Sequence, residues 1–335
     1  MSATMRRVVR YEYGPPEVLR LEHASPRPEP GSGQVLIRVR ATTVNYGDLL
    51  ARDFRSVGPS RFNMPYPLLL FSRLHFGLRR PRQPVLGSEF SGVIEALGPD
   101  VDRFTPGDRV LGYTGQAMGG YAGYLRVEQD GVIAPAPASL TDEQSAAFPY
   151  GAITAVALLR GVEIKGRSVL IVGASGGIGS YAVQLAKHAG AEVTGVCGSA
   201  RVERVRALGA DHIIDYTRED FTASGERYHL ILDVLGRRAF RDIRGSLTHD
   251  GLYLLASFKT PQLAWAIRTR FGSGPRVRCV MTGQTREDLL EAVELAGPGV
   301  LVPRVDRTFP LEEAAEAHRY AESDGRSGTV VLTVG

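Results

Sequence analysis

The feature that most constrains this sequence is a glycine-rich turn between a short apolar run and a helix-like segment. The run Ser168–Val172 (SVLIV) is typical of a buried strand, and it continues as GASGGIG to Gly179. Gly176 lets the backbone approach a pyrophosphate, Gly179 lets the helix pack closely on the strand, and the helix N-terminus offers free N–H groups. The turn predicts a dinucleotide site, with a merely tight turn as the alternative. The predicted cofactor-binding residues here are Gly173, Ala174, Ser175, Gly176, Gly177, Ile178 and Gly179.

The first glycine of the usual pattern G-x-G-x-x-G is replaced, since Ala174 stands in its place. The same stretch also fits G-x-x-x-G-x-G, the pattern of short-chain dehydrogenases. That family carries a catalytic Tyr-x-x-x-Lys as well. Four residues before the three lysines the chain has Gly161, Val183 and Leu255, so this alternative is set aside.

The elements around the turn predict an α/β fold with two domains. Strand-like and helix-like pieces alternate from residue 168 to residue 281, as in βαβ units of a doubly wound parallel sheet. Before them, short β-branched runs separated by Pro and Gly indicate an irregular barrel. The chain ends in mixed elements. We expect a nucleotide domain over 134–282 inserted into a β-rich domain of 1–133 and 283–335, with one apolar-faced helix over Thr141–Leu159.

The residues after the second strand of the nucleotide domain favour NADPH over NADH. NAD enzymes place an acid there, about 20 residues past the turn, to hold the ribose hydroxyls. The stretch Val196–Arg201 has no acid. Gly198, Ser199 and Arg201 instead suit a 2′-phosphate, and Tyr216 is expected to pack beside it. A solvated helix residue is the alternative role for Arg201.

Composition excludes several other classes of protein. The 335 residues include only two cysteines, too few for a disulfide framework or a cysteine zinc lobe, which predicts a reducing, cytoplasmic setting. Net charge is +4, and the 37 arginines and 3 lysines are dispersed, so no nucleic-acid face is expected. The N-terminal MSATMRRVVRYEYG does not resemble a signal peptide. The apolar stretch Pro67–Leu78 is far shorter than the ~20 residues of a membrane-spanning helix.

Several blocks resemble the medium-chain dehydrogenase/reductase superfamily, in its zinc-free quinone oxidoreductase (zeta-crystallin-like) branch. The resemblance implies a GroES-like catalytic domain built from both chain ends, a Rossmann domain between them, and an active cleft between the two. It also implies a homodimer, with Val277–Met281 as a candidate edge strand. The matching blocks are VLIRVRATTVNYGDLL (35–50), PVLGSEFSGVIEALGPDVDRFTPGDRVLGY (84–113), AAFPYGAITAVALL (146–159), the glycine-rich block, LGADHIIDY (208–216) and SGTVVLTV (327–334).

The resemblance also locates the site. Zinc-dependent members carry Cys, His-Glu and Cys where this chain has Asn45, Ser88 and Tyr150. Amide, hydroxyl and phenol oxygens are poor zinc ligands, so no metal is predicted. The implied catalytic residues are Asn45, Tyr46, Asp48 and Tyr150. The implied neighbours of the cofactor are Thr154, Val234, Leu235, Ser257 and Phe258.

Structural roles are open for three of the catalytic candidates. Asn45 and Asp48 are also suited to capping a loop and the following helix, and Tyr46 to packing. Without zinc, a quinone or an α,β-unsaturated carbonyl is the easiest acceptor, because a few hydrogen-bond donors stabilise its delocalised anion. The sequence predicts an NADPH-dependent reductase of a hydrophobic quinone or enone. The alternatives are a zinc-free enoyl-thioester reductase, an alcohol dehydrogenase-like enzyme, and a cofactor-binding protein with little turnover.

The segment Phe54–Pro84 interrupts the β-rich pattern and looks inserted. Its middle is rich in Leu and Phe, and arginines follow. Three interpretations are open: the apolar residues complete the core, they form a lid over the substrate, or they contact an anionic membrane. The first two are favoured over membrane contact.

Overall fold

The computed structural model describes residues 3–58, 62, 64–323 and 325–335, and its elements follow the predicted order of β-rich, alternating and mixed segments. The first half contains β1 (Thr4–Val9), β2 (Arg20–Pro26), β3 (Gln34–Val44), α1 (Tyr46–Arg52), α2 (Tyr66–Phe76), β4 (Glu89–Leu97), β5 (Arg109–Tyr113), β6 (Tyr124–Glu128), β7 (Ile133–Pro135), α3 (Asp142–Ala146), α4 (Pro149–Leu159) and β8 (Ser168–Val172). The second half contains α5 (Gly177–His188), β9 (Glu192–Cys197), α6 (Val202–Ala207), β10 (His212–Asp215), β11 (Tyr228–Asp233), α7 (Phe240–Ile243), β12 (Leu247–Leu255), α8 (Thr260–Thr269), β13 (Arg276–Cys279), α9 (Arg286–Ala296), β14 (Val305–Pro310), α10 (Ala314–Glu322) and β15 (Thr329–Thr333).

The chain divides into two units. The β-rich unit comprises Met1–Val57, Phe71–Tyr150 and Gln284–Gly335, and the parallel-sheet unit comprises Gly58–Leu70 and Gly151–Gly283. Apart from residues 58–70, the change to the parallel-sheet unit lies at 150/151, later than the predicted 133/134. The reason is that β7 pairs with β5, and α3 packs on β3 and β4 of the β-rich unit.

The β-rich unit is built on a sheet with the strand order β14-β15-β3-β4-β5-β7, and β6 also pairs with β3. The strands β1 and β2 form a separate antiparallel ladder. Both chain ends contribute, because β15 pairs antiparallel with β3. The side chains of Ile37, Phe90 and Val330 are fully buried in its core.

The parallel-sheet unit has the strand order β10-β9-β8-β11-β12-β13, and every neighbouring pair is parallel. The order reverses between β8 and β11, and in such sheets ligands bind at the carboxyl ends of these strands. A Cβ added to Gly179 would lie 2.1 Å from the carbonyl oxygen of Gly173, so α5 reaches β8 only because residue 179 is glycine. The predicted doubly wound sheet is confirmed.

The helix predicted over Thr141–Leu159 is wrong as a single element. Thr141 caps α3 in a capping box with Gln144, and the helix ends at Ala146. A second helix, α4, begins at Pro149, which has no N–H to donate to the preceding turn. The interruption sets the direction of the N-terminus of α4, which is part of the candidate site.

The inserted segment contains α2, and residues 59–61 and 63 lie outside the described residues. Leu69 is 3% exposed, and the ring of Phe76 lies 4.9 Å from that of Phe54. In contrast, Phe71 is 68% and Leu74 49% exposed. The core interpretation holds for Leu69 and is wrong for Phe71 and Leu74. The lid and membrane interpretations stay predictions. Among the described residues, none of the helices combines the length and apolarity that crossing a bilayer requires.

We expect truncation of two adjacent leucines of α2 to lower the free energy of unfolding by very different amounts. Leu69→Ala removes a buried side chain and should lower the free energy of unfolding by about 2–4 kcal/mol. Leu70→Ala, at a residue that is 62% exposed, should change it by less than about 0.5 kcal/mol. Chemical denaturation of both variants measures this, and equal losses would contradict the assignment of Leu69 to the core.

Candidate active site

The buried carboxylate of Glu89, at the start of β4, joins three elements of the β-rich unit. Its Oε2 accepts hydrogen bonds from Thr43 Oγ1 on β3 (2.7 Å) and from Asn45 Nδ2 before α1 (3.1 Å). Its Oε1 accepts from the backbone N–H of Tyr150 in the first turn of α4 (2.9 Å). Burial raises the pKa of Glu89, and the three hydrogen bonds oppose that rise. The Glu89 side chain thereby connects Asn45 with the backbone of Tyr150, two of the three positions that correspond to zinc ligands, and the third, Ser88, is bonded to Asn45.

Asn45 is held on both ends of its amide. Its Oδ1 accepts from the backbone N–H of Asp48 (3.0 Å) and caps α1, and Asp48 Oδ2 accepts from Asn45 N in return. Its Nδ2 donates to Ser88 Oγ (2.8 Å) and to Glu89. A backbone donor on one side and a carboxylate on the other leave a single orientation for the amide. Asn45 therefore caps α1, which is the structural role considered for it, and its contact with substrate stays a prediction.

Asp48 is fully buried and also caps α1. Its Oδ1 accepts from the backbone N–H of Gly87 (2.9 Å), a residue with φ +91°. An added Cβ at Gly87 would lie 2.6 Å from the ring of Tyr121, so this turn requires glycine. Burial raises the pKa of Asp48 to about 7, although its backbone hydrogen bonds oppose that rise. Asp48 thus lies behind the site as a packed, titrating carboxyl group.

A second buried polar layer lies on α1 and α10. Arg52 Nη1 contacts His318 Nδ1 (3.1 Å), and His318 Nε2 contacts the hydroxyl of Tyr121 (2.9 Å). Desolvation and the charge of Arg52 hold the pKa of His318 well below its usual range, so the ring is neutral. Arg52 is also paired with Glu322 at 2.7 Å. These contacts fix α1, and they assign His318 a structural role.

The predicted tyrosines differ in their surroundings. Tyr46 is the first residue of α1 and is 53% exposed. The ring of Tyr150 lies 5.5 Å from that of Tyr113, a neighbour that sequence reasoning missed. Desolvation first, and then the charge of Glu89, raise the pKa of Tyr150 above its usual value. Tyr150 therefore keeps its proton at neutral pH and is a hydrogen-bond donor.

In the parallel-sheet unit, the glycine-rich turn has the form that a pyrophosphate needs. Gly176 precedes α5, and no side chain caps the helix there. A Cβ added at Gly177 would meet nothing within 4 Å, so the surface of the turn is open. The side chain of Ala174 is fully buried and faces Gly195 on β9. Alanine replaces the first glycine of the pattern at a position that tolerates a Cβ.

The carboxylate of Asp233, at the end of β11, organises the loop beside this turn. Its Oδ1 accepts from the N–H groups of Leu235 and Gly236, both at 2.9 Å, and its Oδ2 accepts from Tyr253. Val234 and Leu235 lie against Gly173. Gly236 has φ +62°, and an added Cβ would collide with the carbonyl oxygen of Ser257. The predicted residues Val234, Leu235, Ser257 and Gly173 are therefore neighbours, whereas the side chain of Phe258 is buried in the core.

Thr154 lies on α4 one turn after Gly151. A Cβ on Gly151 would lie 2.6 Å from the carbonyl oxygen of Gly177, so this part of α4 packs against the glycine-rich turn. Thr154 is 4% exposed, and its Oγ1 has no hydrogen-bond partner among the described residues. A buried hydroxyl without a partner beside an uncapped, glycine-rich helix start fits a nicotinamide dinucleotide.

The predicted ribose end contains an acid that the sequence argument missed. Asp215 pairs with Cys197 across β10 and β9, and its carboxylate accepts hydrogen bonds from the hydroxyls of Ser199 and Thr217. The ring of Tyr216 lies beside Gly198, since an added Cβ there would be 3.2 Å from the Tyr216 hydroxyl. The stretch 196–201 indeed lacks an acid, but the next strand supplies one.

Two family models match parts of this chain. Residues 31–138 match the family model described as alcohol dehydrogenase GroES-like domain, and residues 208–332 match the model described as zinc-binding dehydrogenase. The mouse mitochondrial NAD(P)H oxidoreductase RTN4IP1 is 31% identical, over 96% of this chain and 87% of that protein. The chain belongs to the medium-chain dehydrogenase/reductase superfamily, in its quinone oxidoreductase branch.

Other members of the superfamily align along their full length. The chloroplastic quinone-oxidoreductase QR1 of Triphysaria versicolor is 27% identical, over 99% of both chains. A solved quinone oxidoreductase from Coxiella burnetii is 28% identical, with a TM-score of 0.82 over 99% of this chain and 100% of that one. The predicted GroES-like and Rossmann fold class is confirmed, as is an oxidoreductase with a nicotinamide cofactor. Cytoplasmic location and the homodimer stay predictions.

The zinc position of the superfamily is occupied by a hydrogen-bond network. Asn45 and Ser88 contact each other directly, and Glu89 connects Asn45 with the backbone of Tyr150. Within the part of the chain that the structure describes, no three His, Cys, Asp or Glu residues are grouped as metal ligands would be. The amide hydrogens of Asn45 are directed at protein acceptors, and amide and hydroxyl oxygens are poor zinc ligands, so this arrangement does not fit a zinc ion.

We expect the buried carboxyl of Asp48 to make stability depend on pH. Its pKa is raised to about 7 in the folded protein, so the folded state binds this proton more tightly than the unfolded chain. The stabilising contribution is therefore complete at low pH and is lost as pH rises from about 4 to about 7. When the pH is raised from 5 to 7, the free energy of unfolding of wild type should therefore fall by about 2 kcal/mol relative to that of Asp48→Asn.

Urea denaturation at several pH values measures this difference. Asp130→Asn, in an exposed ion pair with Arg103, is the matched control and should leave the pH dependence unchanged. Parallel pH profiles for wild type and Asp48→Asn would contradict the prediction.

Proposed function

We propose that this protein reduces a quinone or an α,β-unsaturated carbonyl with NADPH and without a metal. The observation that supports it is the network of Glu89, Asn45 and Ser88 at the zinc position, in a chain whose glycine-rich turn keeps Gly176 and Gly179. The relatives named as quinone oxidoreductases and NAD(P)H oxidoreductases support the same reaction class. When bound, the dihydronicotinamide supplies the hydride.

The chain's own residues have three tasks in this reaction. The uncapped start of α5 and the backbone after Asp233 hold the cofactor, and Thr154 offers its unpaired hydroxyl to it. Tyr150 and Tyr46 offer phenol groups to the oxygen of the acceptor. Asn45 and Asp48 keep the start of α1 rigid. Hydride addition to a quinone or enone leaves a delocalised anion, which neutral donors can stabilise.

Steady-state oxidation of NADPH with a panel of quinones and enones tests the activity. We expect turnover with the purified protein, unchanged after dialysis against a chelator, and no stoichiometric zinc by elemental analysis. A plain ketone of similar size is the control, and it should be a poor substrate because its alkoxide is localised. Activity lost on chelation and restored by zinc would contradict the metal-independent mechanism. Tight NADPH binding with no turnover on any acceptor would favour a binding protein.

NADPH preference is supported by Arg201 and moderated by Asp215. Arg201 lies directly after Ser199 and Ala200, at the end of the predicted ribose pocket, and offers a guanidinium to a 2′-phosphate. The carboxylate of Asp215 holds the Ser199 hydroxyl and places a negative charge near the same position. We therefore infer a preference for NADPH that is limited by this acid.

Removing the charge of Arg201 and removing the charge of Asp215 should move the cofactor preference in opposite directions. Arg201→Ala should lower kcat/KM for NADPH by roughly 10-fold and leave NADH nearly unchanged. Asp215→Asn should raise the NADPH to NADH ratio several-fold. Arg206→Ala, which removes an exposed arginine paired with Glu203 on α6, is the control and should change neither. Equal losses for both cofactors in Arg201→Ala would argue against recognition of the 2′-phosphate.

A further inference from the structure

We propose that Ser88 donates the hydrogen bond that stabilises the negative charge on the substrate oxygen, and that Asn45 and Glu89 are its positioning residues. This inference rests on the proposed reduction of a quinone or enone. It reverses the expectation that Asn45 itself contacts the substrate. The juxtaposition that supports it is the chain of contacts Glu89–Asn45–Ser88 at the end of β3 and the start of β4.

Asn45 has no amide hydrogen left for a substrate. An amide has two N–H hydrogens, and Nδ2 has two protein acceptors: Ser88 Oγ at 2.8 Å and Glu89 Oε2 at 3.1 Å. Its carbonyl oxygen accepts from Asp48 N and caps α1. A rotation that freed a hydrogen for the substrate would break the cap or leave the buried Glu89 carboxylate short of a donor.

Ser88 has the complementary property. Its Oγ accepts the Asn45 hydrogen, so its own O–H must point away from Nδ2. Among the residues that the structure describes, none accepts a hydrogen bond from that O–H. Ser88 is only 5% exposed, and a buried hydroxyl that lacks an acceptor is uncommon in proteins. The unpaired donor therefore fits an oxygen that arrives with the substrate.

The backbone around Ser88 fixes the direction of this donor. The preceding Gly87 donates its N–H to Asp48, and the carbonyl oxygen of Ser88 accepts from Thr114 N at 2.7 Å. The next residue, Glu89, is anchored by Thr43 and Tyr150. A donor held on both sides needs little reorganisation when charge develops, which is the condition for effective oxyanion stabilisation.

In the proposed step the acceptor gains one hydride, that is two electrons and a proton. Its carbonyl oxygen becomes the anionic oxygen of a hydroquinone or an enolate. Ser88 keeps its own proton and contributes a hydrogen bond. Solvent supplies the proton that completes the neutral product. No charge is left on the serine, so it needs no base.

Ser88→Ala is the first test. We expect kcat with a quinone to fall about 100-fold, as for the loss of one oxyanion donor, with the Kd for NADPH unchanged. Because Asn45 Nδ2 loses one acceptor, the melting temperature should fall to a similar extent as in a variant that loses another buried hydrogen bond. Ser91→Ala is the matched control. Ser91 is also a buried serine, three residues further along the chain on β4, and its hydroxyl donates to the carbonyl oxygen of Asp142. A wild-type rate in Ser88→Ala would overturn the proposal.

Asn45→Asp tests the positioning role. It retains an oxygen to cap α1 but replaces the amide donor with a second acid beside Glu89. The two carboxyl groups share one proton between them, so Ser88 loses its donor and its hydroxyl is drawn to the new acid. We expect a loss of kcat similar to that of Ser88→Ala, and no further loss in the double variant, because both remove the same hydrogen bond. Additive losses in the double variant would overturn the positioning role.

A binding experiment separates this inference from the proposed function. The probe is p-nitrophenolate, an anion whose visible absorption reports its ionisation when bound. We expect the wild-type protein to lower the apparent pKa of the bound phenol, and Ser88→Ala to abolish that shift. If the wild type turns over no quinone or enone but shows the shift, the proposed function fails and the donor role stands. Turnover with identical phenol pKa in wild type and Ser88→Ala would refute the donor role alone.

Discussion

The carboxylate of Glu89 is the interaction on which the candidate site depends. Removing a carboxylate from water costs several kcal/mol, and hydrogen bonds of good geometry offset that cost. Here a threonine hydroxyl, an amide and a helix N–H donate to the two carboxylate oxygens. Since the loss of any one donor would leave a buried charge partly unpaired, β3, the start of α1 and the start of α4 are held in fixed relative positions. The donor atoms of the site inherit that rigidity.

A second buried acid makes this arrangement electrostatically demanding. The charge of Glu89 contributes to the raised pKa of Asp48, and that of Arg10 opposes it. Arg10 is itself 1% exposed, and burial lowers its pKa to about 10. Because Asp48 exchanges its proton near neutral pH, the charge behind the site is not constant over the physiological range. The free energy of unfolding therefore varies with the protonation of Asp48 in this range.

The features that sequence predicted are those with local causes. The glycine-rich turn and the alternation after it arise from neighbouring residues, and the parallel sheet follows them. The break before Pro149 is also local, but the apolar pattern across it concealed the change of helix. Asp215 and Glu89 were missed for another reason: their partners come from other strands. Register places Asp215 opposite Cys197, and only the fold brings Glu89 to Asn45 and Tyr150. The secondary-structure propensities of single residues contain no information about such pairings between distant strands.

The proposed mechanism uses oriented hydrogen-bond donors where a zinc enzyme uses a metal ion, and this difference limits the range of acceptors that can be reduced. A zinc ion acts on a localised alkoxide through its full charge. A neutral hydroxyl offers about 3 kcal/mol per donor, and only where its direction is already set. That amount is small beside the barrier of reducing a plain ketone. It is sufficient where the electrons of the incoming hydride are delocalised over a ring or an enolate. The proposed acceptor class therefore matches the donors proposed at Ser88 and Tyr150, and Glu89 holds both positions through Asn45 and the backbone of Tyr150.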